Sequence, residues 1–528
     1  LASSSAAENC YKRQIFGDIE DIVFVRVYLD GDMPVSMKKF QNRIREKPDE
    51  LKNYSHGNLQ YEFRNPAEGS DAERDALYTE LSRKGIQSFL VQEADAAGGA
   101  TQRLLFPGAI VNYQGKEKVI NLVQDNQMFT VEANLNFAEQ NLEYNLVSII
   151  DQITRNFKTP IAFIEGHGEL DDRQLGDIFR ELDDYYDINR VELDGNVGIL
   201  DDYKAVVIAK PTEKWSEADK LVIDQYIMDG GNTAWFIDAV TVHEDSLQHY
   251  PYTFATVCEH NLDDQLFRYG VRINANLIQD LQSAMRRINM APANQQPNFQ
   301  LAYWTYFPLL IPPTDNSLTK GLNLIRSQYP GVIDTVNVNE NIQKSYLLYS
   351  SEYSKVSTVP IMVDVESAIN TNQKEFNQSY LPVAALLDGK FESAFRNRMV
   401  SQYNHGQSFD FKQQSDKAKM IVVSDGDIIR NDVMVRGDRV SLLPLGFDRE
   451  MNQTFGNKEF VKNIINYLAD ENDLIQLRSH DYKLRLLDKA KVTDYRTRII
   501  LLNTVLPAVL VLLVGVVFMW WRRRKYTR

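Results

Sequence analysis

Asp425 and Asp427 are the residues best spaced for chemistry. They follow a buried-looking run, Lys419-Met-Ile-Val-Val423, in the turn Ser424-Asp425-Gly426-Asp427. Two carboxylates so placed at a strand end could hold a magnesium ion for phosphoryl transfer. Ile429 stands where Thr or Val would be expected, however, and no lysine partner motif follows. Turn formation and helix capping are the ordinary duties of such aspartates. A residual hydrolase built on this pair is the third of three functional readings.

Other candidates are thinner. Glu165, His167 and Glu169 could ligate a metal, but a single histidine in a glycine turn makes a sparse donor set. Gly166-His-Gly168 opens like a dinucleotide fingerprint, yet Asp171 takes the third glycine position, and Glu169, Asp171 and Asp172 would repel a pyrophosphate. Cys258 and His260 in Thr256-Val-Cys-Glu-His260 lack the preceding buried strand and flanking glycines of a nucleophile elbow. A structural cysteine is the plainer reading. There is no Gly-x-x-x-x-Gly-Lys-Ser/Thr loop, so ATP hydrolysis by the P-loop mechanism is excluded. No catalytic residue, cofactor or metal is expected.

These residues need a scaffold, and the strands supply it. Pro160-Ile-Ala-Phe-Ile-Glu165, Ala205-Val-Val-Ile-Ala209 and Thr233-Ala-Trp-Phe-Ile237 are continuous apolar runs. An acidic helix to about Tyr186 and a helix over Glu217–Met228, stopped by Gly230-Gly231, separate them. Strand and helix alternating in this way make a parallel sheet covered on both faces. Upstream, Ile22–Leu29 and Leu59–Phe63 read as strands, and Met37–Asn53 and Ala72–Lys84 as helices. A hairpin turns at Gln114-Gly115. Phe137, Leu142, Leu146, Ile149, Ile150, Ile153 and Phe157 form the apolar face of a long helix. Residues 289–313 read as an Asn-, Gln- and Pro-rich loop whose Tyr303, Trp304, Tyr306 and Phe307 are a candidate interface.

The 528 residues carry a net charge of −14 and only two cysteines, Cys10 and Cys258. Such an acidic surface repels phosphate backbones, so nucleic acid is not an expected partner. Ile499–Trp521 holds no charge. As a helix it would reach about 34 Å, enough for a hydrocarbon core of about 30 Å. Ile499, Leu506 and Val514 lie in the apolar run, Trp520 and Trp521 suit an interface, and Arg522, Arg523 and Arg524 begin a basic tail. The tail belongs on the cytoplasmic side, which puts the rest of the chain outside it. An upstream signal or span beyond Leu1 is therefore expected.

The expected organisation is a flexible segment 1–20, an α/β domain 21–157, an amidotransferase-like, Rossmann-like α/β domain 158–300 and a second α/β region 301–473. A stalk helix 474–498, a transmembrane helix 499–521 and a tail 522–528 complete it. The amidotransferase likeness rests on the sheet order, with Gly230-Gly231 before Trp235-Phe-Ile237.

Three stretches carry a family resemblance: Ile161-Ala-Phe-Ile-Glu-Gly-His-Gly-Glu-Leu-Asp171, Ile208-Ala-Lys-Pro-Thr212 and Ile223-Asp-Gln-Tyr-Ile-Met-Asp-Gly-Gly231. With Leu262-Asp-Asp-Gln-Leu-Phe-Arg-Tyr-Gly-Val-Arg272 and the apolar run, the chain resembles the GldG family of gliding-motility ABC-transporter auxiliary proteins of Bacteroidota. The resemblance implies a permease partner, GldF, and a separate ATPase, GldA. It also implies an inner-membrane location with the soluble part in the periplasm, and a role in gliding. It supplies no ligand and no catalytic residue. The leading expectation is a non-enzymatic, membrane-anchored subunit. The alternative is a periplasmic ligand-binding protein, and the formation of a homo-oligomer stays open.

Overall fold

The computed structural model describes residues 12–469 and 512–525, apart from 14, 18, 95–99, 124–125, 127–128, 156, 291–295, 297, 404–408 and 438. The chain divides into two compact units, Leu1–Ser479 and His480–Arg528.

In the first unit, a four-stranded sheet has the order Leu59–Phe63, Val23–Val27, Gly108–Tyr113, Lys116–Asn121. Its first pair is parallel and the others are antiparallel. Val23, Val25 and Val27 alternate inward, as a half-buried strand requires. Asp71–Lys84 starts on a capping box made by Ser70 and Glu73 and ends at Gly85, whose φ of 98° favours glycine. The long helix Val131–Thr154 follows, capped by Thr130.

The larger sheet has seven strands in the order Ile342–Tyr349, Pro382–Gly389, Ala418–Val423, Asn232–Phe236, Ala205–Ala209, Thr159–Glu165, Tyr186–Glu192. The last five are mutually parallel, Pro382–Gly389 runs antiparallel to them, and Ile342–Tyr349 runs antiparallel to Pro382–Gly389. Ile161, Phe163, Val207 and Phe236 face one apolar cluster with Ile178, Phe460 and Ile464. Ala162, Ile164, Val206, Ile208 and Trp235 face the other with Val222 and Ile227. Helices Gly176–Leu182 and Asn457–Ala469 thus cover one face and Glu217–Met228 the other. That double burial is why these strands read as unbroken apolar runs.

Three expectations need correction. The sheet draws strands from both sides of residue 300, so that position does not divide two sheets. The acidic helix is only Gly176–Leu182, and Tyr186–Glu192 is an edge strand whose mixed polarity reflects its partial exposure. Much of the expected loop 289–313 is strand: Phe299–Leu310 pairs with Ser283–Asn289, while 291–295 and 297 lie outside the described residues. Pro308 sits beside the register shift at Ser283, where a strand tolerates proline.

In the second unit, residues 512–525 are helical. Val514, Trp520 and Trp521 are exposed there, with Arg524 4.5 Å above the Trp520 ring. Among the described residues no helix is long and apolar enough to cross a membrane. The expected stalk 474–498, and Ile499 and Leu506 with the rest of 499–511, lie outside the described residues, as does Cys10.

Candidate functional site

The carboxyl ends of the central parallel strands converge on one charged cluster. Phe236 is in register with Ala209 on one side and Val423 on the other, so the residues that follow emerge at one level. The Lys210 N–H donates to the Phe236 carbonyl at 2.8 Å, and Ile237 N–H to the Val423 carbonyl at 2.9 Å. The ladder thereby continues one step past each strand. Lys210 has a φ of 58°, unusual for a residue with a Cβ. A Cβ on Gly426 would lie 2.6 Å from the Lys210 side chain, so only glycine lets the two turns approach.

Lys210 Nζ lies 2.9 Å from Asp238 Oδ2 and 2.5 Å from Asp427 Oδ2. Arg430 Nη1 adds a contact to Asp427 Oδ1 at 2.7 Å. Asp425 accepts from Gln328 N–H at 2.7 Å and Asp427 N–H at 2.8 Å. Asp238 accepts from Gly426 N–H at 2.6 Å. Asp425 is fully buried and Asp427 nearly so. Burial, with Asp427 and Asp238 close by, pushes the Asp425 carboxyl well above the usual range. Burial also raises Asp238, although Lys210 opposes it. Burial acts the same way on Asp427, but Lys210 and Arg430 outweigh it and hold that carboxyl low. Two cations face three carboxylates, and Asp425 is the carboxyl whose surroundings most disfavour its charge.

The oxygens of Asp238, Asp425 and Asp427 lie within 4.8 Å of one another, close enough to share a cation. The cluster already holds one of its own, the Lys210 ammonium. The lysine missing downstream of Asp427 thus comes from a different strand. The only sequence signal for Lys210 and Asp238 is position: Lys210 directly follows the buried strand Ala205–Ala209, and Asp238 stands two residues past Asn232–Phe236.

The glycine turn builds a separate knot. His167 Nε2 is 3.3 Å from Asp219 Oδ2, its Nδ1 is 3.3 Å from Glu169 Oε1, and its ring stacks on Trp215 at 4.1 Å. Burial lowers its pKa, but Asp219 and Glu169 prevail and raise it to about 9. Asp219 also joins the Ser216 cap of the following helix. Glu165 takes no part and pairs instead with Arg190 at 2.9 Å. Gly166 and Gly168 both have positive φ, which the turn requires.

Cys258 and His260 are buried. Burial raises the Cys258 thiol, the opposite of what activates a nucleophile. His260 Nδ1 accepts the Leu262 N–H at 3.2 Å, which engages that nitrogen in a local turn. Of the candidate aromatic interface, only Tyr303 is exposed, while Trp304, Tyr306 and Phe307 belong to the core. A strand points alternate side chains to opposite faces, which splits Tyr303 from Trp304.

The architecture is therefore mixed α/β, with a charged cluster at the carboxyl end of a doubly covered sheet. The chain belongs to the ABC-transporter auxiliary family described as an ABC-type uncharacterized transport system, which matches residues 158–464. A domain of unknown function (DUF7088) matches residues 13–112. No curated protein matches the chain. Among solved structures, the mmIFT52 N-terminal domain is similar at 11% identity and a TM-score of 0.33, over 59% of this chain and 97% of that one. A ThuA-like protein from Parabacteroides merdae ATCC 43184 is similar at 11% identity and a TM-score of 0.28, over 59% of this chain and 90% of that one.

Proposed function

We propose that this chain is a non-enzymatic, membrane-anchored auxiliary subunit of an ABC transport complex. Family membership over residues 158–464 is the observation that carries the reading, since it implies association with such a complex. The sequence has no P-loop, so ATP-driven energy would come from another subunit. The Lys210–Asp427 pair also favours a structural role for the strand-end aspartates, because the cluster spends its negative charge on an internal cation.

In this reading the uncharged run Ile499–Trp521 spans the cytoplasmic membrane, the basic tail stays in the cytoplasm, and the α/β unit works in the periplasm. The permease and ATPase are of the GldF and GldA kind, and the complex serves gliding. Detergent co-purification of the tagged full chain from its native membranes tests this. A permease and an ATPase should be recovered together with the chain. Recovery of neither would overturn the proposal.

A further inference from the structure

A cavity of about 600 Å³ opens beside the helices Val131–Thr154 and Asn457–Ala469, within the range of small-molecule sites. Asn134, Asn141, Asn145 and Gln152 line it from the first helix, and Asn463 and Asn466 from the second. On the first helix these amides are seven, four and seven residues apart, the spacing of a single face. An inward-facing stripe on a helix is ordinarily apolar. Here Leu142, Leu146, Ile150 and Ile153 supply the buried apolar face, and the amide stripe beside it faces a hollow. Asn134 and Asn463 are themselves buried and donate to the Asn126 and Leu318 carbonyls, and Asn466 accepts from the Tyr186 hydroxyl, which leaves Asn145 and Gln152 as the amides most open to a ligand. The buried Oδ1 of Asn141 has no hydrogen-bond partner among the described residues.

The charges around the hollow are balanced. Lys84 lies 2.7 Å from Glu117, Lys458 lies 2.7 Å from Asp177 and Lys462 pairs with Glu181, while Lys320 and Glu459 add one ionisable group of each sign. Such a lining disfavours a phosphate or a carboxylate. Carboxamides offer a donor and an acceptor on one group, which matches hydroxyls, since these need both. Phe137 and Tyr185 add ring surface for the apolar faces of a sugar. Peptides are usually read along a strand edge or through side-chain pockets, whereas these polar groups project from two helices.

We propose that this interhelical cavity binds a neutral oligosaccharide. The proposal goes beyond the anchored-subunit reading, and its test needs neither permease nor ATPase, so either can fail alone. The full chain in detergent is titrated calorimetrically with maltotriose, cellotriose and tri-N-acetylchitotriose. Trigalacturonate serves as the anionic control and tetra-alanine as the peptide control. A neutral trisaccharide should bind, and Asn145→Leu should weaken it by about tenfold or more, as loss of a hydrogen-bonding group does. Gln152→Leu serves as the second variant should Asn145→Leu shift the unfolding midpoint. No binding by any neutral trisaccharide, binding only by trigalacturonate or tetra-alanine, or affinity indifferent to the folded variant would each overturn the assignment.

Discussion

The Lys210 ammonium lies 2.5 Å from an Asp427 carboxylate oxygen across 217 residues of chain. The contact ties the end of one central strand to the turn after another, and Asp238 at 2.9 Å closes the group from the strand between them. Removing one partner from a buried ion pair leaves the other desolvated and uncompensated, which costs about 3–5 kcal/mol. Lys210→Met should therefore lower stability by that order in urea unfolding followed by tryptophan fluorescence. Lys210→Met with Asp427→Asn should recover part of the loss. Asp425→Asn should cost much less, because burial with Asp427 and Asp238 close by already disfavours the charge on that carboxyl. Equal losses from all three would refute this charge assignment.

His167 gives the chain a pH dependence of defined sign. Its pKa is raised from 6.5 to about 9 by Asp219 and Glu169 against the effect of burial. A raised folded-state pKa adds stability that is fully present below pH 6.5 and is lost as pH climbs through about 9. The upper limit is about 3.5 kcal/mol at roughly 1.4 kcal/mol per unit. Unfolding midpoints measured from pH 6 to 10 should fall in this window for the native chain. His167→Gln should flatten that fall. An unchanged slope in the variant would assign the dependence elsewhere.

Adjacent aromatic positions should behave oppositely. Trp304 is fully buried, whereas Tyr303 is 57% exposed. Trp304→Ala should cost about 3–5 kcal/mol through the cavity it leaves. Tyr303→Ala should stay within about 0.5 kcal/mol, as surface changes usually do. Denaturant midpoints on the two variants decide the matter, and a large loss at Tyr303 would restore an interface-like role to its outward face.

What was legible in the sequence was local. Ala205–Ala209, Asn232–Phe236 and Ala418–Val423 are buried on both faces, so their apolar runs announced them. The edge strand Tyr186–Glu192 was hidden because Asp187, Asn189, Arg190 and Glu192 break that pattern. The site divided in the same way. Asp425 and Asp427 share one turn and could be found together. Lys210 and Asp238 reach them only through the sheet order, which no spacing along the chain encodes. The amide stripe of Val131–Thr154 has no apolar periodicity of its own to mark it in the sequence. It falls between the apolar residues on the same helix.

The remaining prediction concerns the apolar run. Ile499–Trp521 is uncharged and is followed at once by Arg522, Arg523 and Arg524. A helix of this length matches the hydrocarbon core, and a charge placed within it costs roughly 2.5–3.5 kcal/mol of insertion free energy. Val514 sits well inside the run and its side chain is exposed, so Val514→Asp disturbs no buried packing in its helix. The α/β unit Leu1–Ser479 is a separate compact unit, so its folding should survive the change. Membranes carrying the native chain should retain it through an alkaline carbonate wash. Val514→Asp should release a larger fraction, and truncation after Arg498 a larger one still, with the unfolding midpoint of the α/β unit unaltered in both. A truncated chain that stays as firmly in the pellet as the native one would show that residues 499–528 are not what holds it there.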